Sequence, residues 1–124
     1  MNSNPHRASR AAAAGAGKAS RHWWLQRISA LALIPLTLWF VFTILGHVGD
    51  SHRAAAAWVA RPGVAAALIA YLAVMFYHAQ LGLQVIVEDY VSAQKARDMT
   101  LLATRVVNSL AGAAAVGAVL YIAW

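Results

Sequence analysis

The chain has 124 residues, 61% hydrophobic and 11% charged, with a net charge of +6 and no cysteine. Soluble domains carry roughly 25% charged residues, so the composition excludes a water-soluble three-helix domain and makes a bilayer the better solvent. The lack of cysteine excludes disulfides, thiolate metal ligands and cysteine nucleophiles. The crowding of Arg7, Arg10, Lys18, Arg21 and Arg27 ahead of the first apolar run argues for membrane topology and against a nucleic-acid partner.

Residues 1–20, MNSNPHRASRAAAAGAGKAS, are basic, acid-free and rich in Ala and Gly, and read as a disordered tail. They share this character with a mitochondrial transit peptide, and a bacterial cytoplasmic tail is the reading preferred here. HWWLQR then opens a three-helix transmembrane domain over residues 21–124, with Trp23 and Trp24 suited to the headgroup belt. The first helix is expected at about 26–48. Its uncharged run, ISALALIPLTLWFVFTILGHV, exceeds the ~7–15 residues of a signal-peptide core. No small-x-small cleavage site follows, so the segment is retained, with a modest kink expected at Pro35. The second helix is expected at about 63–89 and the third at about 101–124. Each apolar run is close to the ~20 residues that cross the hydrocarbon layer.

Lysine and arginine set the orientation. The tail holds five, the first loop only Arg53 and Arg61, and the second loop Lys95, Arg97 and Arg105. The tail and second loop therefore face the cytoplasm and Trp124 faces the periplasm, with the mitochondrial inner membrane as the alternative setting. Small residues at four-residue spacing, such as Ala113/Gly117 and Ala66/Ala70, allow close helix approach but are common by chance in so alanine-rich a chain.

The chemistry concentrates in YHAQLGLQVIVEDY, residues 77–90. His78 lies about 4–5 Å past the middle of its span on the cytoplasmic side, where an ionisable group needs a reason. Its ordinary role would be one hydrogen bond to a neighbouring helix. Gly82 at i+4 leaves space on the same face, and a neutral imidazole is a good axial ligand for haem iron. His6, His22, His47 and His52 lie at other depths, so a second ligand would come from another polypeptide. Gln80 and Gln84 point to other faces and are expected to form interhelical hydrogen bonds. Arg27 opens the first helix as a topology anchor or as a partner for a carboxylate. Ser29 can bond a backbone carbonyl or a ligand. Asp89 and Tyr90 end the second helix at the surface, where a phenol could donate to a quinone carbonyl.

The segments QRISALAL and YHAQLGLQVIVEDYV together resemble the hydrophobic membrane anchor subunit of succinate dehydrogenase, the smaller anchor in its alphaproteobacterial form. The resemblance rests on Arg27 with Ser29, His78 with Gly82, and Asp89 with Tyr90. It departs from the usual pattern in lacking an aromatic residue after the histidine. It implies an all-α membrane protein that forms half of a six-helix, haem-binding bundle with a second anchor (cytochrome b) subunit. It further implies iron-sulfur and flavoprotein subunits as partners and no bond chemistry by this chain alone. By the same resemblance His78 would be the haem b axial ligand, with Arg27 near the propionates. Tyr90 would contact ubiquinone, and Asp89 would tune an arginine of the partner anchor. The alternatives are a fumarate reductase anchor and a haem-free structural or assembly protein.

Overall fold

A computed structural model describes residues 4–124, and within them the chain is helical nearly throughout. The helices are α1 (Pro5–Gly46), α2 (His52–Val59), α3 (Pro62–Tyr90) and α4 (Gln94–Ala123). Three of them, α1, α3 and α4, are long and apolar enough to cross a membrane. At 1.5 Å per residue, α3 and α4 reach roughly 45 Å and α1 roughly 63 Å, against ~30 Å of hydrocarbon. The protein is a multi-pass membrane protein with three spans.

The first correction concerns the N-terminal tail. Residues 1–3 lie outside the described residues, but α1 runs without a break from Pro5 across the expected boundary at residue 20. Local chemistry supports the early start. Asn4 caps the helix by accepting from the His6 N–H at 3.1 Å, and Pro5 sits at the first helical position, where its missing N–H costs nothing. The alanine run that follows has the highest helix propensity available. Once the membrane span has nucleated, each further residue adds a hydrogen bond without a new nucleation cost. Composition alone could not reveal that. Pro35 lies inside α1, which continues through it.

Two further differences lie in the loops. The first loop contains α2, capped by Ser51, whose hydroxyl accepts from Ala54 N–H at 3.2 Å. Its AAAAW segment is a good helix former that was hidden by being too short to span. The second loop shrinks to Val91–Ala93, because α4 starts at Gln94 rather than at about 101. Arg97 holds this turn by donating from Nε to the Val91 carbonyl at 3.0 Å and from Nη2 to the Ser92 carbonyl at 3.1 Å. Gly49, at φ 92°, makes the turn that follows α1.

α3 lies between α1 and α4 and packs on both, while α1 and α4 do not pack on each other. At one end Ala65, Leu68 and Val119 form a buried cluster that Trp39, Phe40 and Leu72 close, and Phe40 stacks on Tyr71 at 5.0 Å. Nearby, His47 bonds Asp50 at 2.8 Å and its ring lies 4.4 Å from Trp58. Large apolar side chains such as Leu31, Phe42 and Leu110 stay exposed. Such a surface suits contact with lipid or with other membrane helices.

Candidate functional site

The seam between α1 and α3 carries the polar contact that matters. Ser29 is the one buried polar residue among those described, and its Oγ lies 2.8 Å from Nδ1 of His78. The same hydroxyl donates to the Gln26 carbonyl at 3.0 Å, three residues back along α1. A serine hydroxyl has a single proton. Both bonds are made at once only if Oγ accepts from His78, which favours the hydrogen on Nδ1. Nε2 of the neutral ring is then left with a free lone pair, and it makes no hydrogen bond to the described residues.

This chain of hydrogen bonds, His78 to Ser29 to the α1 backbone, orients the ring and favours the tautomer with its hydrogen on Nδ1. Metal-ligating histidines are held in this way, the second ring nitrogen donating to an oxygen of the protein. Among the described residues no three His, Asp or Glu side chains gather as a metal site. His78 is therefore a single imidazole donor, which suits one axial position of a planar iron complex.

His78 borders a groove of about 380 Å³ that it lines with Trp23, Gln26, Arg27 and Ala30. Across the seam, a Cβ added to Gly82 would meet only the Gln26 amide nitrogen, at 4.0 Å, so this part of the α3 face is not filled. The Arg27 guanidinium lies 5.2 Å above the Trp23 ring, a cation–π contact that holds its charge at the rim of the groove. Arg27, Ser29, His78 and Gly82 thus lie along one seam. The donor set fits a haem: an unprotonated imidazole nitrogen, open space beside it and a guanidinium able to pair with a carboxylate.

Asp89 and Tyr90 are not gathered into this groove. They follow His78 by eleven and twelve residues on the same helix, roughly 17 Å along the axis, and both are exposed, Tyr90 at 84%. No other described residue covers them.

Sequence reasoning missed Trp23 and Gln26 as parts of the site. Their spacing held the signal, since Trp23 precedes Arg27 by four residues and Gln26 precedes Ser29 by three, both same-face intervals. The expectation for Gln80 and Gln84 is corrected. Gln84 bonds within its own helix, to Glu88 at 2.9 Å, because the i+4 carboxylate is the nearest acceptor. Both amide atoms of Gln80 are buried without a partner among the described residues. The second interhelical bond comes instead from Asn108, which donates to the Phe76 carbonyl at 2.9 Å. His22, read as lying beside the tail, also has a buried and unpartnered Nε2.

The Ser29–His78 contact gives a direct prediction. Ser29→Ala removes the oxygen that Nδ1 addresses and frees the ring to turn or change tautomer. Loss of such a supporting bond costs roughly 10–100-fold in metal affinity. Haem retention by the assembled complex under titration with a competing haem acceptor should show that loss, and Ser29→Thr, which keeps the hydroxyl, should restore most of it. Equal affinity in Ser29→Ala and the parent would remove Ser29 from the site.

Fold and site together define a three-span membrane protein with one oriented intramembrane histidine donor. The comparisons with known proteins agree with that class and narrow it. Residues 2–119 match the family model described as "Succinate dehydrogenase/Fumarate reductase transmembrane subunit", and the chain belongs to this family. It is 33% identical over 102 residues to the succinate dehydrogenase hydrophobic membrane anchor subunit of Rickettsia bellii, covering 82% of each chain. The corresponding Rickettsia felis subunit is 30% identical, over 82% of this chain and 85% of that one. The succinate dehydrogenase membrane anchor subunit of Reclinomonas americana is also 30% identical, over 71% and 76%. No solved structure matches the chain.

Proposed function

We propose that this chain is a membrane anchor subunit of a succinate dehydrogenase, holding haem b jointly with a second anchor subunit and bordering a ubiquinone site. The single observation that carries the haem assignment is the 2.8 Å contact between Ser29 Oγ and His78 Nδ1, with the Ser29 proton committed to Gln26. It leaves Nε2 as a fixed, unprotonated donor within the bilayer. A histidine that served only to tie α3 to α1 would need no more than the Nδ1 bond. It would not call for the open groove beside the ring.

In this reading His78 would hold the haem iron from this chain, together with a histidine of the second anchor. Arg27 would pair with a propionate at the rim, and Gly82 would leave the α3 face open beside the group. Bound there, haem would provide a one-electron store inside the membrane. The chain's own work is to orient His78, exclude water and set the charge at the rim. The flavoprotein and iron-sulfur subunits dock on the cytoplasmic side, where the N-terminal part of α1 and the first half of α4, with Lys95, Arg97 and Arg105, carry most of the lysine and arginine. The C-terminal Trp124 faces the periplasm.

Tyr90 and Asp89 lie on that same cytoplasmic side and await cover from a neighbouring subunit. A tyrosine hydroxyl there donates to a quinone carbonyl as negative charge develops on it, which is differential stabilisation of the kind that speeds reduction. Tyr90→Phe deletes this donor and keeps the ring. Loss of one such donor costs ~10²–10³-fold at an oxyanion site, and quinone reduction by the assembled complex should fall toward that range with haem content unchanged. A rate within twofold of the parent would release Tyr90 from the role.

The reading as a whole is tested by isolating the chain from its own membranes in mild detergent. The expected particle contains covalent flavin, iron-sulfur protein and a b-type haem spectrum. A particle with neither flavin nor Soret absorption would leave an anchor-like protein without this function.

A further inference from the structure

The part of α1 that extends beyond the membrane presents an organised surface of its own. Arg7, Arg10, Lys18 and Arg21 are separated by three, eight and three residues. At 100° per residue they fall within an arc of about 80° and form one stripe roughly 21 Å long. The opposite arc of this segment holds only Pro5, Ser9, Ala12, Ala16 and Ala19. All of these residues are exposed, and α1 packs on no helix except α3. No acidic residue precedes Asp50, so the stripe is not neutralised along its own helix.

We propose that this stripe is a docking surface for an acidic flank of the water-soluble subunits of the complex. The proposal rests on the anchor reading given above. What selects a protein partner over lipid is height. α1 is a single continuous helix, so its N-terminal end rises from the headgroup belt marked by Trp23 and Trp24. Arg10 stands roughly 20 Å above Trp23 and Arg7 roughly 24 Å. The electrostatic screening length is only about 8 Å at physiological ionic strength. Lipid phosphates therefore attract Arg21 and Lys18 but not Arg10 and Arg7. Only a surface that itself stands up from the membrane meets all four at once. Because the remaining side chains are no larger than alanine or serine, apart from Pro5 and, beside Arg7, His6, the contact is held by charge and is sensitive to salt.

The test uses the full chain assembled in its complex. In the triple variant Arg7→Gln, Arg10→Gln, Lys18→Gln, Arg21 and Arg27 remain to preserve topology. Membranes carrying parent or variant are washed with stepwise sodium chloride, and membrane-bound flavin and reduced haem spectrum are read together. The salt concentration that releases half the flavin should fall at least threefold in the variant, with the haem spectrum unchanged. Arg7→Lys with Arg10→Lys should behave as the parent. An unchanged release midpoint would overturn the docking surface and leave the anchor reading intact. Parent membranes without bound flavin would instead overturn the anchor reading, and the docking surface with it. A fluorophore at Ala12→Cys quenched by nitroxide-labelled lipid in the assembled complex would place the stripe on the membrane and overturn the proposal. So would an intact mass showing that residues 5–21 are removed from the mature chain.

Discussion

His78→Ala is expected to abolish the b-type haem spectrum of the assembled protein while leaving the helices in place. The effect should be complete rather than graded, because no second histidine among the described residues lines the groove. Among the described residues His78 is the one imidazole that lines the groove, and His47 is engaged with Asp50 and Trp58 beyond the far end of α1. Alanine removes the imidazole from the groove and leaves Ser29 Oγ without its contact to His78. Ser29 remains satisfied through Gln26, so the structural penalty is that of one lost hydrogen bond, about 0.5–1.5 kcal/mol. Three apolar spans tolerate this. The measurement is the reduced-minus-oxidised difference spectrum beside the yield of the chain in the membrane. Normal yield with no haem is the expected pair. A normal haem spectrum would show that the ligand lies elsewhere.

His78→Gln sharpens the result. Glutamine can still bond Ser29 from its amide but is a poor haem ligand. If the role of His78 were only to tie α3 to α1, glutamine would preserve whatever alanine loses. Under the ligand reading, both variants lose the spectrum and glutamine regains only stability.

Much of this was legible beforehand because a bilayer imposes simple rules. Twenty apolar residues without charge have few alternatives to a spanning helix, and α3 at Pro62–Tyr90 differs from the expected 63–89 by one residue at each end. Arg27, Ser29, His78 and Gly82 could be singled out by residue type, spacing and family resemblance, and they lie along one α1–α3 seam. What could not be read were features set by rotation about the helix axes. Depth follows from counting, but whether Ser29 faces His78 or lipid depends on how α1 is turned. Composition likewise misjudged residues 5–20. It registers their lack of apolar side chains, not that a neighbouring span has already met the cost of nucleation. Small-residue spacing did not single out the α3–α4 contact. Ala113/Gly117 fits the spacing rule, yet a Cβ at Gly117 would meet nothing within 4 Å, whereas one at Gly112 would meet Phe76 of α3.

That contact supports the second large effect, expected from Gly112→Leu. A Cβ at residue 112 would lie 3.2 Å from Cγ of Phe76, 3.4 Å from its Cβ and 3.5 Å from Cδ2. The crowded atoms lie at the root of the Phe76 side chain, so a rotamer change at the ring tip does not relieve them. The helices must separate. One turn earlier on α4, Asn108 donates to the Phe76 carbonyl at 2.9 Å, so separation also stretches the bond that fixes α4 against α3. In lipid there is no hydrophobic force to press the helices back together, and close packing with interhelical hydrogen bonds carries their association. Gly112→Ala should be mild. Overpacking of about 1–3 kcal/mol is partly offset by the ~1 kcal/mol that alanine gains over glycine in a helix. Leucine adds three more carbons to the same gap and exceeds what the seam can absorb. Thermal denaturation of the purified complex in detergent should show a small loss for alanine and a large one for leucine. Adding Phe76→Ala to Gly112→Leu should recover part of the loss, because the space released by one side chain receives the other. Independent, additive effects in that double-mutant cycle would mean that the two residues do not meet across the seam and that α4 is held to α3 by some other contact.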